Sequence, residues 1–405
     1  MRNGTPFDAA LEAALAPLQG ADRRLAHELA AGVLRAGAAL DRALAPYVTR
    51  GLEQVDPSLR ELLRLGAYQL TALDRIPPHA AVSTTVALAQ ASPHRRAAAF
   101  VNAVLRRVAE TAPRTVPGRA SHPGWLVSRW TARYGPAEAA RLQEWNDTRP
   151  RLALQPARWT LEQMRTALTD AGVAVTEAPF GAGLLPGASR PQDLPGYAEG
   201  GFIVQDPAQA MVVRFFDVPA GATVYDACAA PGGKSIGLGR VAGLVLAADR
   251  RLGRVARLAE NLQRAGRGRE FPLVADAAHP PVRQVDVAVL DAPCLGTGVF
   301  ARHPDARWRV HPDALPRLVQ EARTMLEATA AVVRPGGWLC FSTCSLEPEE
   351  NEMQIEAFLT RHPEFQRDPG PLPDVARTPA GDLMLLPQRH GTDGAFAARL
   401  QRQAA

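Results

Sequence analysis

The chain has 405 residues, of which 46% are hydrophobic and 21% are charged, and this composition excludes a protein that is disordered throughout. Its length predicts two or three domains, because globular domains usually contain roughly 100–200 residues. Its net charge of +5 at pH 7 permits a nucleic-acid partner but does not require one.

Signals for membranes, secretion and metals are missing from the sequence. No apolar run approaches the roughly 20 residues that a membrane-spanning helix needs. The first residues include acids where a secretory signal would be basic. Four cysteines are too few for a disulfide framework, and their positions (228, 294, 340 and 344) have no zinc-type spacing. We therefore expect a soluble, cytoplasmic protein without a metal.

The first part of the chain predicts a helical domain over residues 1–115. Apolar residues recur at helical spacing in ELLRLGAYQLTAL (61–73) and again in FVNAVLRR (100–107). Up to Arg114 there are 14 arginines and 10 acidic residues, so this domain carries much of the positive charge. A solvated face and an RNA-binding face both fit this content, and the spacing of the arginines does not decide between them.

Residues 116–205 predict a small α+β unit, which follows a Pro- and Gly-rich stretch at 112–124. Two helices are expected near 125–134 and 136–146. A strand in RLALQPARW, a helix near 160–171 and a strand in VAVTEA should follow. We expect the run from 178 to 201 to be a loop that closes the unit.

Strands and helices alternate from about residue 219, within a third domain over 206–405, which predicts a parallel sheet with crossover helices. The expected strands are 223–227, 243–249, 271–276, 285–293 and 337–343. The expected helices are 233–240, 251–265, 312–333 and 350–361. Because each strand is apolar along its length, we expect all five to be buried on both faces.

Polar or thiol-bearing residues follow every one of these strands. They are Asp226, Asp249, Asp276, Asp291 with Cys294, and Cys344. A single Asp at a strand end is often a helix cap or a turn former. Ligands of open parallel sheets bind at the carboxyl ends of the strands. Polar or thiol-bearing residues after all five strands therefore favour a functional site.

The turn DACAAPGGKS (226–235) contains Lys234, the single lysine among 46 basic residues. A phosphate-binding P-loop is disfavoured because its first glycine would fall at Cys228, and the dinucleotide pattern GxGxxG is absent. A nucleoside-type cofactor fits better. Asp249 could accept bonds from both ribose hydroxyls, and Asp276 could reach the adenine amino group.

Two of the four cysteines lie in turns directly after buried strands: Cys294 in LDAPCLGTG and Cys344 in FSTCSLEPEENE. We interpret Cys228 and Cys340 as small hydrophobic residues. Loop amides and helix starts favour the nucleophilic thiolate form. Two such thiols above one pocket indicate either a redox pair or covalent catalysis with a second thiol for release. The residues alone leave both readings open.

The motifs DACAAPGGK, LDAPCLGTG and STCSLEPEENE resemble the signatures of the Nop/Sun family of RNA cytosine-C5 methyltransferases. GTGVFARHPDARW (296–308) resembles the stretch that follows the second motif in the ribosomal RNA branch. YQLTALDRIPPHAAVSTTVALA with FVNAVLRR is similar to NusB-like RNA-binding domains. This resemblance implies an α/β fold: a Rossmann-like class I methyltransferase domain, an all-α NusB-like N-terminal domain and a small α+β middle unit. Leu295 stands where a serine is common.

The resemblance implies S-adenosyl-L-methionine as the cofactor and carbon 5 of an unpaired cytosine in 16S ribosomal RNA as the target. Cys344 resembles the nucleophile that adds to carbon 6, and Cys294 the residue that assists release. Asp291 would border cofactor and base, and Lys234 would orient it. The cofactor would be held by Cys228, Ala229, Ala230, Pro231, Gly232, Gly233, Lys234, Asp249, Asp276 and Asp291. We expect a monomer.

Three alternatives accompany this interpretation. A non-catalytic RNA-binding factor on the same fold should lack a reactive cysteine or a cofactor acid, and all of these are present. A redox enzyme should form a reversible disulfide and bind no cofactor. A transfer RNA methyltransferase is the main competitor in substrate, and the NusB-like N-terminus favours ribosomal RNA.

Overall fold

The computed structural model describes residues 7–111, 122–187 and 190–404. These residues form two compact units: the chain up to Arg149 together with Phe300–Arg309, and Pro150–Val299 together with Val310 onward. The domain boundaries expected at 115 and 205 do not coincide with this division. Most of the Pro- and Gly-rich stretch at 112–124 lies outside the described residues. No helix among the described residues is both long enough and apolar enough to cross a membrane.

The first unit is helical, as the periodicity predicts. Its helices are α1 (Phe7–Leu15), α2 (Gly20–Leu44), α3 (Pro57–Ala72), α4 (Pro78–Gln90), α5 (Ala98–Thr111), α6 (Gly124–Tyr134) and α7 (Pro136–Asp147). The apolar faces of α3 and α5 supply fully buried side chains, among them Leu63, Val101 and Leu105. Helix α3 begins at Pro57 because the carboxylate of Asp56 accepts bonds from two otherwise unpaired backbone amides.

The segment Phe300–Arg309, which includes the short helix α12 (Ala306–Arg309), packs into this helical unit. Its Arg307 side chain is fully buried, with Nη1 2.6 Å from Asp147 Oδ1 and Nη2 donating to the Asn146 carbonyl oxygen. The Phe300 ring lies 6.3 Å from the ring of the buried Trp130. Helices α6 and α7 therefore belong to the core of the first unit and not to the middle unit that the sequence predicts.

The second unit begins with a small antiparallel sheet and one helix. Its elements are β1 (Leu154–Pro156), α8 (Leu161–Asp170), β2 (Val175–Glu177), β3 (Leu184–Pro186) and β4 (Phe202–Val204), with strand order β2-β3-β1-β4. The expected strand–helix–strand is confirmed. The expected loop at 178–201 is wrong in part because it contains β3, a three-residue strand between Gly183 and Gly187 that is too short to show alternation.

The main sheet forms the larger part of the second unit. Its strands are β5 (Thr223–Asp226), β6 (Leu244–Asp249), β7 (Glu270–Val274), β8 (Val285–Asp291), β9 (Val333–Thr343), β10 (Phe365–Arg367), β11 (Leu383–Leu385) and β12 (Ala395–Arg402). Its helices are α9 (Pro207–Phe216), α10 (Gly233–Leu238), α11 (Leu252–Ala265), α13 (Ala314–Ala331), α14 (Glu352–Arg361) and α15 (Pro387–His390). The strand order is β10-β12-β9-β8-β5-β6-β7, with β11 paired to β12.

Strands β5 to β9 are parallel, as expected, whereas β10, β11 and β12 run antiparallel and make the sheet mixed. The sequence AFAARLQR of β12 was not predicted as a strand because its alanines are typical of helices. The expectation that every strand is buried on both faces is wrong for β7. This strand lies at the sheet edge, and its Phe271 and Val274 are 52% and 55% exposed.

Candidate active site

The carboxyl ends of the parallel strands bring the polar residues to one edge of the sheet. Strand β5 pairs with β6 on one side and β8 on the other, and β8 pairs with β9. Asp226 and Asp249 end β5 and β6, Asp291 ends β8, and Cys344 follows β9. Side chains that are up to 118 residues apart in sequence therefore follow adjacent strands.

The two turn cysteines meet at this edge. Cys294 Sγ lies 3.5 Å from Cys344 Sγ, within contact distance of a weak S–H hydrogen bond. The hydrogen bond with Cys344 and burial raise the pKa of Cys294 well above that of an ordinary thiol. Cys294 therefore retains its proton at neutral pH.

Three hydrogen bonds join the loop that carries Cys294 to the loop that carries Cys344. The Leu295 amide donates to Glu350 Oε1 at 2.9 Å, and the Gly298 amide donates to the Cys344 carbonyl oxygen at 2.9 Å. The Leu346 amide donates to Thr297 Oγ1 at 2.8 Å. Gly296, in the loop that carries Cys294, adopts a φ of +68°, a conformation that favours glycine. The sulfur pair is thus held by backbone contacts on both sides.

Both carboxylate oxygens of Asp291 are engaged by side chains. Lys234 Nζ donates to Oδ2 at 2.7 Å, and Ser342 Oγ donates to Oδ1 at 2.7 Å. The Lys234 side chain is 11% exposed, so this ion pair is largely shielded from water. Lys234 and Asp291 were both named as site residues from the sequence, and the structure brings them into contact. Ser342 was not singled out, because nothing in the sequence distinguishes Ser342 from an ordinary strand residue.

The turn between β5 and α10 forms a compact loop of backbone groups. The Ala229 amide donates to the Ala248 carbonyl oxygen at 2.7 Å, and the Gly232 amide donates to the Ala229 carbonyl oxygen at 2.7 Å. Gly232 has a φ of +108°, and an added Cβ would lie 2.9 Å from Leu258 Cδ1. Only glycine fits here without strain, so the loop passes tightly over α11 before α10 begins.

Asp249 and Asp276 differ in their partners. The Asp249 carboxylate accepts from the Arg251 amide at 3.0 Å and pairs with Arg254 Nε at 3.1 Å. Arg254 Nη2 also donates to the Ala230 carbonyl oxygen at 2.6 Å, which links Asp249 to the β5–α10 loop. Asp276 Oδ1 accepts from the Ala278 amide at 3.0 Å, so its side chain also shapes the turn after β7.

Two buried carboxyls at this edge each leave one oxygen without a hydrogen-bond partner: Asp226 Oδ1 and Glu350 Oε2. Burial raises the pKa of Asp226 to about 6, although Ser235 Oγ donates to its Oδ2 at 2.7 Å. Burial raises the pKa of Glu350 to about 7, against the effects of the Ser345 hydroxyl and the Leu295 amide. Sequence reasoning missed Glu350; its place six residues after Cys344 was the available signal.

The remaining two thiols lie apart from this chemistry. Burial, together with the charge of Asp226, raises the pKa of Cys228 to about 12. Burial also raises the pKa of Cys340 to about 12, and Cys340 is fully buried in β9. Both thiols therefore stay protonated at neutral pH. Among the described residues, no group of three His, Cys, Asp or Glu side chains is arranged to hold a metal ion.

Comparison with known proteins matches one family model to the N-terminal part of the chain and another to the C-terminal part. A family model described as 16S rRNA methyltransferase RsmB/F matches residues 215–401, and a NusB family model matches residues 1–110. A probable ribosomal RNA small subunit methyltransferase B from Synechocystis is 34% identical over 99% of this chain and 96% of its own length. The corresponding protein from Bacillus subtilis is 31% identical over 95% of this chain and 92% of its own length.

Solved structures show the same arrangement of elements. The crystal structure of PH0851 superposes with a TM-score of 0.78 at 28% identity, covering 95% of this chain and 91% of its own. The structure of NSun6 from Pyrococcus horikoshii with SFG has a TM-score of 0.62 at 17% identity, covering 70% of this chain and 99% of its own. The second likeness concerns the fold alone.

Proposed function

The chain belongs to the family of ribosomal RNA small subunit methyltransferase B, and from that premise we propose that it methylates carbon 5 of an unpaired cytosine in 16S ribosomal RNA through a covalent adduct on Cys344. It is an S-adenosyl-L-methionine-dependent ribosomal RNA methyltransferase. The single observation that carries the finer proposal is the 3.5 Å approach of Cys294 Sγ and Cys344 Sγ beside the Lys234–Asp291 pair.

The residues at the carboxyl ends of β5 and β6 fit this cofactor. When bound, it supplies an electrophilic methyl group. Asp249 stands where a carboxylate can accept the ribose hydroxyls, and the tight loop from Cys228 to Gly233 exposes backbone groups for the amino-acid part. The orphaned Asp226 Oδ1 is an acceptor that a cationic group would satisfy. Asp276 and Asp291 would complete the set toward the adenine and the target base.

The adduct solves a reactivity problem in the target base, because carbon 5 of cytosine is a poor nucleophile. The thiolate of Cys344 forms a bond to carbon 6, and the electron pair of the carbon 5–carbon 6 double bond makes carbon 5 electron-rich. Asp291, held by Lys234 and Ser342, would keep the ring nitrogen protonated and so stabilise the charge that develops on addition.

Release requires that the methylated carbon 5 lose its proton. The electrons of that carbon–hydrogen bond re-form the ring double bond, and the sulfur–carbon 6 bond breaks to return the Cys344 thiolate. Cys294 lies next to the departing sulfur and would assist this proton transfer. The two adjacent thiols therefore have different roles: Cys344 attacks, and Cys294 assists release.

The target cytosine must leave any base stack before a sulfur atom can reach carbon 6. Such flipping costs about a few kcal/mol and costs least in loops and bulges, which favours an unpaired cytosine. The helical unit would supply phosphate contacts through exposed arginines such as Arg106 and Arg107 on α5. These contacts would set the register of the RNA without reading its sequence.

Substitution of each thiol tests the assignment of roles. Cys294→Ala should accumulate a protein–RNA adduct that survives denaturing electrophoresis, because addition and methylation proceed and release does not. Cys344→Ala should form no adduct and no methylated product. Cys340→Ala is the matched control: it removes a fully buried thiol of β9, four residues before Cys344, and should retain turnover.

An adduct in Cys344→Ala, or turnover without Cys344, would overturn the nucleophile assignment. Bisulfite mapping of ribosomal and transfer RNA from cells with and without the protein tests the substrate. We expect one cytosine of 16S ribosomal RNA to lose its methyl group. A lost methyl group in transfer RNA instead would contradict the 16S proposal and leave the chemistry intact.

A further inference from the structure

Glu350 lies in the segment that follows Cys344 and is almost fully buried, with 1% of its surface exposed. Its Oε1 accepts the amide of Leu295, the residue that follows Cys294. Its Oε2 makes no hydrogen bond of good geometry, although the Ser345 hydroxyl lies close enough to lower the pKa of the carboxyl. None of the ion pairs among the described residues includes Glu350. A buried carboxyl with one oxygen unused is costly for the fold, so a purely structural bond to Leu295 does not explain it.

We propose that Glu350 acts through Cys294 as the final proton acceptor of the release step: Oε1 positions the Cys294 loop, and Oε2 takes the proton that Cys294 gives up. This inference rests on the proposed function, since it concerns the step in which the methylated base leaves Cys344. Glu350 would not touch the RNA or the cofactor and is therefore a positioning residue.

The need for such an acceptor follows from the protonation of Cys294. A thiol that already carries a proton cannot accept a second one from carbon 5 at neutral pH. Its hydrogen bond with Cys344 and its burial raise the pKa of Cys294, so the thiol form prevails before release. Cys294 can serve as a base only if it passes its own proton to another group in the same step.

The relay balances as follows. The proton on carbon 5 moves to Cys294 Sγ, and the proton of the Cys294 thiol moves to Glu350 Oε2. The carbon 5–hydrogen electron pair becomes the ring double bond, and the bond from carbon 6 to Cys344 breaks with its electron pair on sulfur. Glu350 ends as a neutral acid, and its proton returns to solvent before the next turnover.

The surroundings of Glu350 suit an acceptor near neutral pH. Burial raises its pKa to about 7, and the charges of Glu347 and Glu349 from its own loop raise it further. The Leu295 amide and the Ser345 hydroxyl oppose this effect. The charge of Glu350 in turn raises the pKa of the Cys294 thiol, which precedes Leu295 in the neighbouring loop. Release should therefore accelerate as the pH rises through about 7 and then level off.

Glu350→Gln separates the two functions of this side chain. The amide oxygen can still accept the Leu295 amide, but the side chain can no longer take a proton. In single turnover we expect adduct formation to change less than about threefold and adduct decay to slow by about 100-fold, a typical loss for a proton-transfer group. The rise of the decay rate with pH near 7 should vanish.

Two matched variants sharpen the measurement. Glu349→Gln changes the neighbouring carboxyl of the same loop and should leave the decay rate within about threefold of the wild type. Cys294→Ala with Glu350→Gln should decay no more slowly than Cys294→Ala alone, because Glu350 acts through Cys294. If Glu350→Gln fails to fold, the pH profile of adduct decay in the wild-type protein remains as the test.

The inference is overturned if Glu350→Gln slows adduct formation and decay equally, or if the decay rate of the wild type is flat between pH 6 and 8. Additive slowing in the double variant would also overturn it. Failure of the proposed function looks different: the wild type would release methylated RNA without any adduct, and Cys294→Ala would accumulate none.

Discussion

Asp249 and Glu350, which lie on the two sides of the pocket, are held in different ways. On the cofactor side, formed by the ends of β5 and β6, Asp249 is paired with Arg254. On the thiol side, formed by the loops after β8 and β9, Glu350 has a backbone amide as a partner and no ion pair among the described residues. Asp291 joins the sides, because it ends β8 and accepts a hydrogen bond from Lys234 in the first turn of α10.

This difference separates binding from proton transfer. A nearby cation favours the charged form of a carboxylate and keeps its acceptor oxygens fixed, which suits a group that holds hydroxyls or a ring nitrogen. A buried carboxyl without a cation has a pKa near neutrality, which suits a group that must gain and lose a proton in each cycle. A carboxyl group can therefore serve in ligand binding or in proton transfer, according to whether a cation lies beside it.

The largest effect should come from removing the cation that joins the two sides. Lys234→Met should lower the single-turnover rate of methylation by about 100-fold, because it removes the ammonium group that holds Asp291 Oδ2 in place. Lys234→Arg should recover only a small part, since the guanidinium is wider and planar and cannot replace a compact ammonium at 2.7 Å.

Recovery of nearly the full rate by Lys234→Arg would show that the position needs only a positive charge. Thermal unfolding of each variant is the control, because a lost rate matters only in a protein that keeps its fold.

The site was more predictable from sequence than the fold around it. The alternation of strands and helices placed Asp249, Asp291, Cys294 and Cys344 at strand ends, and parallel pairing alone brings such ends to one edge. What could not be predicted depends on tertiary contacts. Glu350 reads as one of several acids in SLEPEENE, and only the fold places it against Leu295.

The misjudged elements share a second physical cause. Strand β12 contains three alanines among its eight residues, and alanine prefers helices; it forms a strand because β9 and β10 pair with it on both sides. Likewise, Arg307 appears in sequence as one more basic residue of the third domain. Its burial against Asp147 in the helical unit follows from a contact between residues 160 positions apart.

The next effect tests the cofactor side alone. Asp249→Asn should raise the dissociation constant for S-adenosyl-L-methionine by about 10- to 100-fold, because a hydrogen bond to a charged group contributes about 1.5–3 kcal/mol. Exchange of the hydrogen on carbon 5 in the absence of cofactor reports thiol addition by itself, and it should change less than threefold. Equal losses in both measurements would mean that the two sides are not separable.

The smallest effect concerns the contribution of Asp226, on the cofactor side, to the free energy of unfolding of the protein without its cofactor. The pKa of Asp226, raised by burial to about 6, means that the folded state holds a proton that the unfolded state releases above about pH 4. The wild type should therefore lose stability as the pH rises from about 4 to about 6. Asp226→Asn removes this loss, and its advantage over the wild type should grow by about 1–2 kcal/mol between pH 4.5 and 7.5.

Asp286 on β8 provides the control of opposite sign. The Thr223 amide and the Arg334 guanidinium lower the pKa of its carboxyl, so its ionised form favours the folded state. Asp286→Asn should cost stability at pH 7.5, and the cost should shrink as the pH falls through the lowered pKa. Thermal unfolding of both variants at several pH values measures the two trends. If both variants follow the same trend, burial does not hold Asp226 in its neutral form, and Asp226 Oδ1 is satisfied in another way.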